Sequence, residues 1–205
     1  MATQKDTVRR LLDRAGRTYA DEAGIKLADK PAPLYRLLVL SVLLSTRISA
    51  NIAVAAAREL RVYGTPRKML DATWQQRVDA LGRAHYVRYD ESTATALGDG
   101  ARLLLDSYGG DLREIRDGDV RARLRKFPRL GPVGADIFCR EAQAVWPELR
   151  PHLDRKVLDG ARRVGLPADA GKLARLVDGS DLAGFSAALV RVSLDKKLAD
   201  QVREG

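Results

Sequence analysis

The chain has 205 residues, of which 36 are lysine or arginine and 27 are aspartate or glutamate, giving a formal net charge of +9. A basic balance favours a polyanionic partner. The single cysteine, Cys139, excludes an intramolecular disulfide and a metal site made of four cysteines of this chain. The longest nearly apolar run, residues 37–44, is too short to span a membrane, and no signal-peptide pattern opens the chain. We therefore expect a cytoplasmic location.

The first half of the chain carries the apolar periodicity of helices. The run at 34–44 has almost no polar face, which predicts a helix that is buried on all sides. Residues 83–91 predict a loop that contains two tyrosines, a histidine, two arginines and two acids. The helices predicted in this half occupy residues 5–20, 34–44, 51–60, 66–70, 73–82 and 92–108.

The second half is also helical in pattern. Asp119 caps a short basic helix at 120–126, and a turn with Gly131 and Gly134 follows it. Beyond this turn, the chain crosses from Trp146 to Asp154. The remaining helices are predicted at residues 135–145, 155–164, 169–177 and 181–202. Since no segment has the pattern of a strand, we predict an all-α fold.

The glycine turn joins two short helices into a hairpin at about residues 120–145. Such a turn exposes successive backbone N–H groups at a helix N-terminus, an arrangement that suits a phosphate. An ordinary αα-hairpin without a ligand explains the spacing equally well. The basic run before the turn, which ends in Arg125 and Lys126, supplies the positive charge that binding to a nucleic-acid backbone needs.

Three segments resemble those of one enzyme family, the endonuclease III-like helix-hairpin-helix DNA glycosylases. The turn reads Phe127-Pro128-Arg129-Leu130-Gly131-Pro132-Val133-Gly134-Ala135, and the family pattern is apolar, Pro, Gly, apolar, Gly, x, x, x, Ala. Leu153-Asp154-Arg155-Lys156-Val157 is similar to the family's downstream catalytic motif, apolar-Asp-x-x-apolar. Leu43-Leu44-Ser45 is similar to a segment that enters the DNA helix. The resemblance covers about residues 34–165.

The resemblance implies a two-lobed, all-α helix-hairpin-helix glycosylase fold with the DNA groove between the lobes. One lobe is expected to be a six-helix barrel at residues 31–149, which contains the hairpin. The other lobe is expected to combine residues 1–30 with residues 150–205 and to carry Asp154.

The resemblance also implies roles for individual residues. Asp154 takes the position of the catalytic aspartate, although its type and place also fit an N-cap for the next helix. Arg47 takes the position of the residue that fills the gap left by an extruded base; it also reads as a surface arginine at a helix end. The expected DNA-binding residues are Arg47, Arg125, Lys126, Arg129, Gly131, Val133, Gly134, Arg155 and Lys156.

The 83–91 loop is longer than in that family and lies beside the family's base pocket. Aromatic rings interleaved with hydrogen-bond donors suit stacking and edge recognition of a flipped base. A solvated loop whose tyrosines pack on the barrel is the alternative. The candidate pocket residues are Ser45, His85, Tyr86, Arg88 and Tyr89.

Three departures from the family change the expected chemistry. Val133 stands where the bifunctional members have their Schiff-base lysine, so the lyase reaction lacks its amine nucleophile. A single cysteine cannot ligate the iron–sulfur cluster of many relatives, so we expect no cluster and no other cofactor. Arg129 replaces the first hairpin glycine. No catalytic metal is expected, although the carbonyls of Phe127 and Leu130 are candidate ligands for a monovalent cation.

The predicted function is that of a monofunctional DNA glycosylase that removes a damaged or modified base by hydrolysis. Its expected partner is double-stranded DNA with a flipped-out lesion base, and it is expected to be a monomer in the bacterial cytoplasm, associated with the nucleoid. One alternative is a bifunctional glycosylase/AP lyase that uses another lysine, with Lys156 nearest to Asp154. The other is a non-catalytic protein that binds damaged DNA.

Overall fold

The computed structural model describes residues 3–204, and every regular element there is helical, which confirms the predicted all-α class. None of these helices combines the length and the apolar character needed to cross a bilayer. The α-helices are α1 Gln4–Ala15, α2 Tyr19–Glu22, α3 Pro31–Leu44, α4 Ala50–Glu59, α5 Pro66–Asp71, α6 Trp74–Arg83, α7 Asp90–Tyr108, α8 Val120–Leu124, α9 Gly131–Ala142, α10 Arg155–Arg163, α11 Ala170–Ala174, α12 Leu182–Leu194 and α13 Lys196–Glu204. Short 3₁₀ helices occupy Leu60–Tyr63, Leu112–Arg116, Pro147–Leu149 and Gly179–Asp181.

The chain divides into two compact units. The terminal unit contains the chain up to Tyr19 and the chain from Cys139 onward, and the central unit is Ala20–Phe138. The divisions fall within α2 and α9. The lobe boundaries expected from the sequence, and the six-helix barrel, stay predictions.

The core of the terminal unit is built around α12. Side chains of α1, α10 and α13 join it in one apolar cluster, which includes Leu11, Val157, Phe185 and Val202. Gly160 of α10 lies directly against the α12 backbone, because a Cβ there would be only 1.9 Å from the carbonyl oxygen of Leu189. This close approach fixes the position of α10.

The core of the central unit is built around α3. The prediction that this helix is buried on all sides is confirmed, since Leu34, Leu37, Leu40 and Leu43 are fully buried. The helix begins at Pro31, three residues earlier than predicted, because proline fits the first turn of a helix, where no N–H is needed.

A buried arginine ties three helices of the central unit together. Arg77 of α6 donates hydrogen bonds to the carbonyls of Met69, Ala72 and Ala94, at 2.8–2.9 Å. Burial lowers the pKa of its guanidinium. Gly98 leaves room for this group, since a Cβ there would lie 2.8 Å from Nη2 of Arg77.

Several predicted boundaries were wrong, for local reasons. The helix predicted at 181–202 is two helices, because Asp195 is extended and its carboxylate accepts a hydrogen bond from the Leu198 N–H, which caps α13. The first helix ends at Ala15, where the N–H of Gly16 donates to the carbonyl of Leu12, and not at residue 20. The other shifted elements are α7, which begins at Asp90, α8, which ends at Leu124, α9, which begins at Gly131, and α11, which covers only Ala170–Ala174.

Candidate functional site

Two residues of the hairpin turn, on either side of Leu130, lie in the left-handed region. Arg129 has φ +62° and Gly131 has φ +56°. Glycine adopts this conformation without strain, whereas an arginine in it is uncommon. The turn is followed at once by α9, whose first N–H groups have no acceptor within the helix. The left-handed turn thus leads directly into the N-terminus of α9, and phosphate binding there stays a prediction.

The hairpin contacts the end of α3 in the same unit. The Ser45 Oγ lies 3.0 Å from the carbonyl oxygen of Arg129. Gly134 is needed where these segments meet, because a Cβ there would lie 2.8 Å from Cδ1 of Leu130 and 3.3 Å from Cβ of Ser45. The Leu-Leu-Ser segment and the hairpin, which are far apart in sequence, thus form one surface feature.

Around this turn Arg125, Lys126, Arg129 and Val133 of the predicted DNA-binding set are exposed, whereas Gly134 is buried. Arg125 and Lys126 are exposed at the end of α8. Val133 is 63% exposed in the first turn of α9, so an apolar side chain occupies a solvent-facing position. The carbonyl of Phe127 accepts a bond from the Leu130 N–H, and that of Leu130 accepts one from the N–H of the fourth α9 residue. A cation at these carbonyls stays a prediction.

The 83–91 loop divides its aromatic residues between interior and surface. Tyr86 is fully buried, and its hydroxyl lies 2.8 Å from Oγ1 of Thr46 and 3.5 Å from Oγ1 of Thr93. It therefore supports the turn after α3 and offers no ring face to a base in this structure. His85 is exposed, with φ +60°. Tyr89, by contrast, is only partly buried.

A cavity of about 350 Å³ lies between this loop, the turn after α3 and the hairpin. Its lining residues are Ser45, Thr46, Arg47, Tyr89 and Arg129. Within the central unit the structure thus brings together predicted residues of two kinds, the pocket candidates Ser45 and Tyr89 and the DNA-binding candidates Arg47 and Arg129. Tyr86 does not line the cavity, but its hydroxyl contacts Thr46, which does.

Asp154 belongs to the terminal unit, where it is the N-cap of α10. Its Oδ1 accepts a hydrogen bond from the Val157 N–H at 3.1 Å, and its Oδ2 lies 3.2 Å from Nε of Arg140. The two side chains of this ion pair are 11% and 12% exposed. Arg155 and Lys156 are exposed. The sequence left open whether Asp154 caps the helix; it does, and it also holds an ion pair.

A buried glutamine fixes the segment that leads to Asp154. The Gln143 amide donates to the carbonyl of His152 at 3.2 Å and accepts from the His152 N–H at 3.0 Å. The same amide nitrogen lies 3.2 Å from Oγ of Ser186 in α12. Arg150 donates to the carbonyls of Gln143 and Ala144, at 2.6 and 2.8 Å. This frame orients the N-terminus of α10 and, with it, the Asp154 carboxylate.

Sequence analysis missed Arg140 and Gln143. Both were visible as polar residues three positions apart near the end of an apolar helix. That pattern indicates a shared polar face, but their partners come from a crossing segment whose path the sequence does not give.

No protein-family model and no curated protein matches this sequence. Solved structures do match. A trapped endonuclease III–DNA covalent intermediate in an estranged-adenine complex aligns with TM-score 0.51 at 15% identity, covering 93% of this chain and 85% of that chain. A non-covalent endonuclease III–DNA complex aligns with TM-score 0.53 at 16% identity, with the same coverage. At these identities the likeness concerns the fold, and it confirms the endonuclease III-like fold that the sequence motifs predicted.

Proposed function

We propose that this protein is a DNA glycosylase that hydrolyses the N-glycosidic bond of a damaged or modified base in duplex DNA. The observation that carries the proposal is the Asp154 carboxylate, which α10, Val157 and Arg140 hold in one orientation in a chain with the endonuclease III fold. The hairpin supports it, since Gly131 keeps the left-handed turn and exposed basic residues precede it.

The proposed reaction uses water as the nucleophile. As the bond from C1′ to the base breaks, its electron pair leaves with the base and the deoxyribose becomes positively charged. Asp154 stabilises this charge and accepts a proton from the water whose oxygen bonds to C1′. The released base takes up a proton. The product is an intact strand with an abasic site.

Val133 supports a monofunctional reaction. A lyase step needs a primary amine that forms an imine at C1′, and the exposed valine offers none. Lys156 is the alternative amine. It lies two positions after Asp154 on α10, and residues with this separation point to different faces of a helix. We propose no cofactor, a monomeric state and a bacterial cytoplasmic, nucleoid-associated location.

A second candidate is a non-catalytic protein that binds damaged DNA. The specific observation in its favour is that both carboxylate oxygens of Asp154 already have partners. In this reading Asp154 and Arg140 only stabilise the terminal unit.

One experiment separates these functions. Duplexes that carry deaminated, alkylated or oxidised bases, or mismatches, are incubated with the full chain, and free base and strand cleavage are measured. We expect base release from at least one duplex, cleavage only after hot alkali, and no adduct after borohydride reduction. An adduct would indicate an amine nucleophile, with Lys156→Ala as the first variant to test. Duplex binding without release from any member of the panel would favour the non-catalytic function.

Val133→Lys is the matched gain-of-function variant. Its side chain is solvent-facing, so a lysine fits there without repacking. We expect this variant to form a borohydride-trapped adduct that the unmodified protein does not form.

A further inference from the structure

The proposed reaction places two demands on Asp154 that one carboxylate cannot meet at the same time. Its negative charge stabilises the deoxyribose cation, and it also accepts a proton from the attacking water, which removes that charge. Both of its oxygens lie beside donors, the Val157 N–H at 3.1 Å and Nε of Arg140 at 3.2 Å, an arrangement that suits the charged carboxylate. Since the side chain is only 11% exposed, bulk water is a poor acceptor for its proton. A second proton acceptor beside Asp154 resolves the conflict.

His152 provides a proton acceptor in the same unit as Asp154. A ring nitrogen of His152 lies within 4.8 Å of a carboxylate oxygen of Asp154. A proton crosses such a separation after a small side-chain movement or through one water molecule. His152 is partly buried, so its ring is close to Asp154 and still has access to solvent.

The path of the chain places these two side chains together. Residues 152–154 lie outside the helices, and Asp154 has an extended backbone. Leu153 is buried in the apolar cluster of the terminal unit, and side chains alternate along an extended chain, so its two neighbours share the opposite side. The Gln143 amide binds both the N–H and the carbonyl of His152. The frame that orients the Asp154 carboxylate therefore also holds the main chain of His152.

At neutral pH an imidazole binds a proton more tightly than a carboxylate does. The ordinary pKa of a histidine side chain is about 6.5, and that of an aspartate side chain is about 3.9. A proton that moves from a neutral carboxylic acid to a neutral imidazole thus moves to the stronger base. The transfer leaves a carboxylate anion beside an imidazolium cation, and these opposite charges attract each other.

We propose that His152 takes over the proton that Asp154 receives from the attacking water. The O–H bond of the water breaks as its oxygen bonds to C1′, and the proton passes by way of the Asp154 carboxylate to the lone pair of an imidazole nitrogen. Asp154 thus keeps its negative charge while the deoxyribose is positively charged. The imidazolium afterwards releases the proton to solvent. The inference rests on the proposed function, and it adds a residue that acts on the reaction through Asp154.

Two substitutions of His152 separate proton transfer from a structural contact. His152→Gln keeps a polar side chain and the main-chain bonds to Gln143, but a glutamine amide does not take up a proton at neutral pH. His152→Ala leaves a gap that free imidazole enters, because the residue is only partly buried. Asp159→Asn is the matched control, since it alters a carboxylate of α10 that is 44% exposed and pairs with Arg162.

The test measures single-turnover base release and duplex affinity of the full chain, on the duplex that the wild type processes fastest. Both His152 variants are expected to release base on the order of 10²-fold more slowly, with duplex affinity within a few-fold of wild type. Added imidazole should restore part of the rate of His152→Ala, and a more basic substituted imidazole should restore more of it. It should not restore Asp154→Asn, which lacks the first acceptor. Asp159→Asn should match the wild type with and without imidazole.

Three results would overturn the inference and are distinguishable from one another. Base release within a few-fold of wild type by both His152 variants would mean that the proton leaves Asp154 by another route. A loss that imidazole does not relieve would assign His152 a structural role only. Both of these results leave the proposed function standing, because the wild type still releases base. If the wild type releases no base from any duplex, the proposed function fails together with the proton transfer.

Discussion

The ion pair between Arg140 and Asp154 is the contact whose removal has the most calculable effect on the terminal unit. The Nε and Oδ2 atoms are 3.2 Å apart, and both side chains are close to nine-tenths buried. Removing one partner of a buried pair costs about 3–5 kcal/mol, because the remaining charge stays desolvated. Since some exposure remains here, we expect Arg140→Ala to lower the free energy of unfolding by about 3 kcal/mol. For a chain of this length that corresponds to a decrease in Tm of about 6–12 °C.

A double-mutant cycle separates the ion pair from the packing of the arginine stem, which alanine also removes. Asp154→Asn is the second substitution, because asparagine keeps the size and the cap on the Val157 N–H. Thermal and denaturant unfolding of the two single variants and the double variant should give a coupling energy of about 1–3 kcal/mol. Effects that add to within about 0.5 kcal/mol would refute the claim that Arg140 and Asp154 depend on each other.

Three further predictions concern packing, DNA affinity and alkaline stability. Gly160→Ala should lower the free energy of unfolding by more than about 3 kcal/mol, because its Cβ overlaps an α12 carbonyl; Gly82→Ala, a helical site with open space, should raise it by about 0.5–1 kcal/mol. The double variant Arg125→Ala, Lys126→Ala should reduce the slope of log affinity against log salt by up to about two, and an unchanged slope would exclude both from phosphate contact. Burial raises the pKa of Tyr35, so the folded state holds this proton more tightly and stability should fall as pH rises above about 10; Tyr35→Phe should flatten that fall in pH-dependent unfolding curves.

The fold was largely predictable from sequence because its helices have strong local signals. The uniformly apolar run of α3 requires burial, and the helix predicted at 73–82 begins with a capping box formed by Thr73 and Gln76. The hairpin motif indicated the fold although no family model matches. The break at Asp195 was missed because aspartate inside an apolar periodic run also fits an exposed helix position.

The sequence predicted which residues belong to the candidate site better than it predicted their contacts and burial. Asp154 was identified by its motif. Its ion pair with Arg140 was not predictable, because it depends on the path of the chain from Trp146 to Asp154, which only the structure gives. The sequence does not distinguish Tyr86 from Tyr89, because both lie among basic residues of the same predicted loop. Only the packing against Thr46 separates the buried ring from the accessible one.

The central claim is that the charge of Asp154 promotes cleavage of the glycosidic bond. The most direct measurement is the single-turnover rate of base release by Asp154→Asn on the duplex that the wild type processes fastest, at a temperature where circular dichroism shows the variant folded. Asp159→Asn, which removes an exposed carboxylate from the same helix, is the control. We predict a loss of about 10²–10⁴-fold for Asp154→Asn with duplex affinity within a few-fold of wild type, and no loss for the control. A rate for Asp154→Asn within a few-fold of wild type would contradict the account.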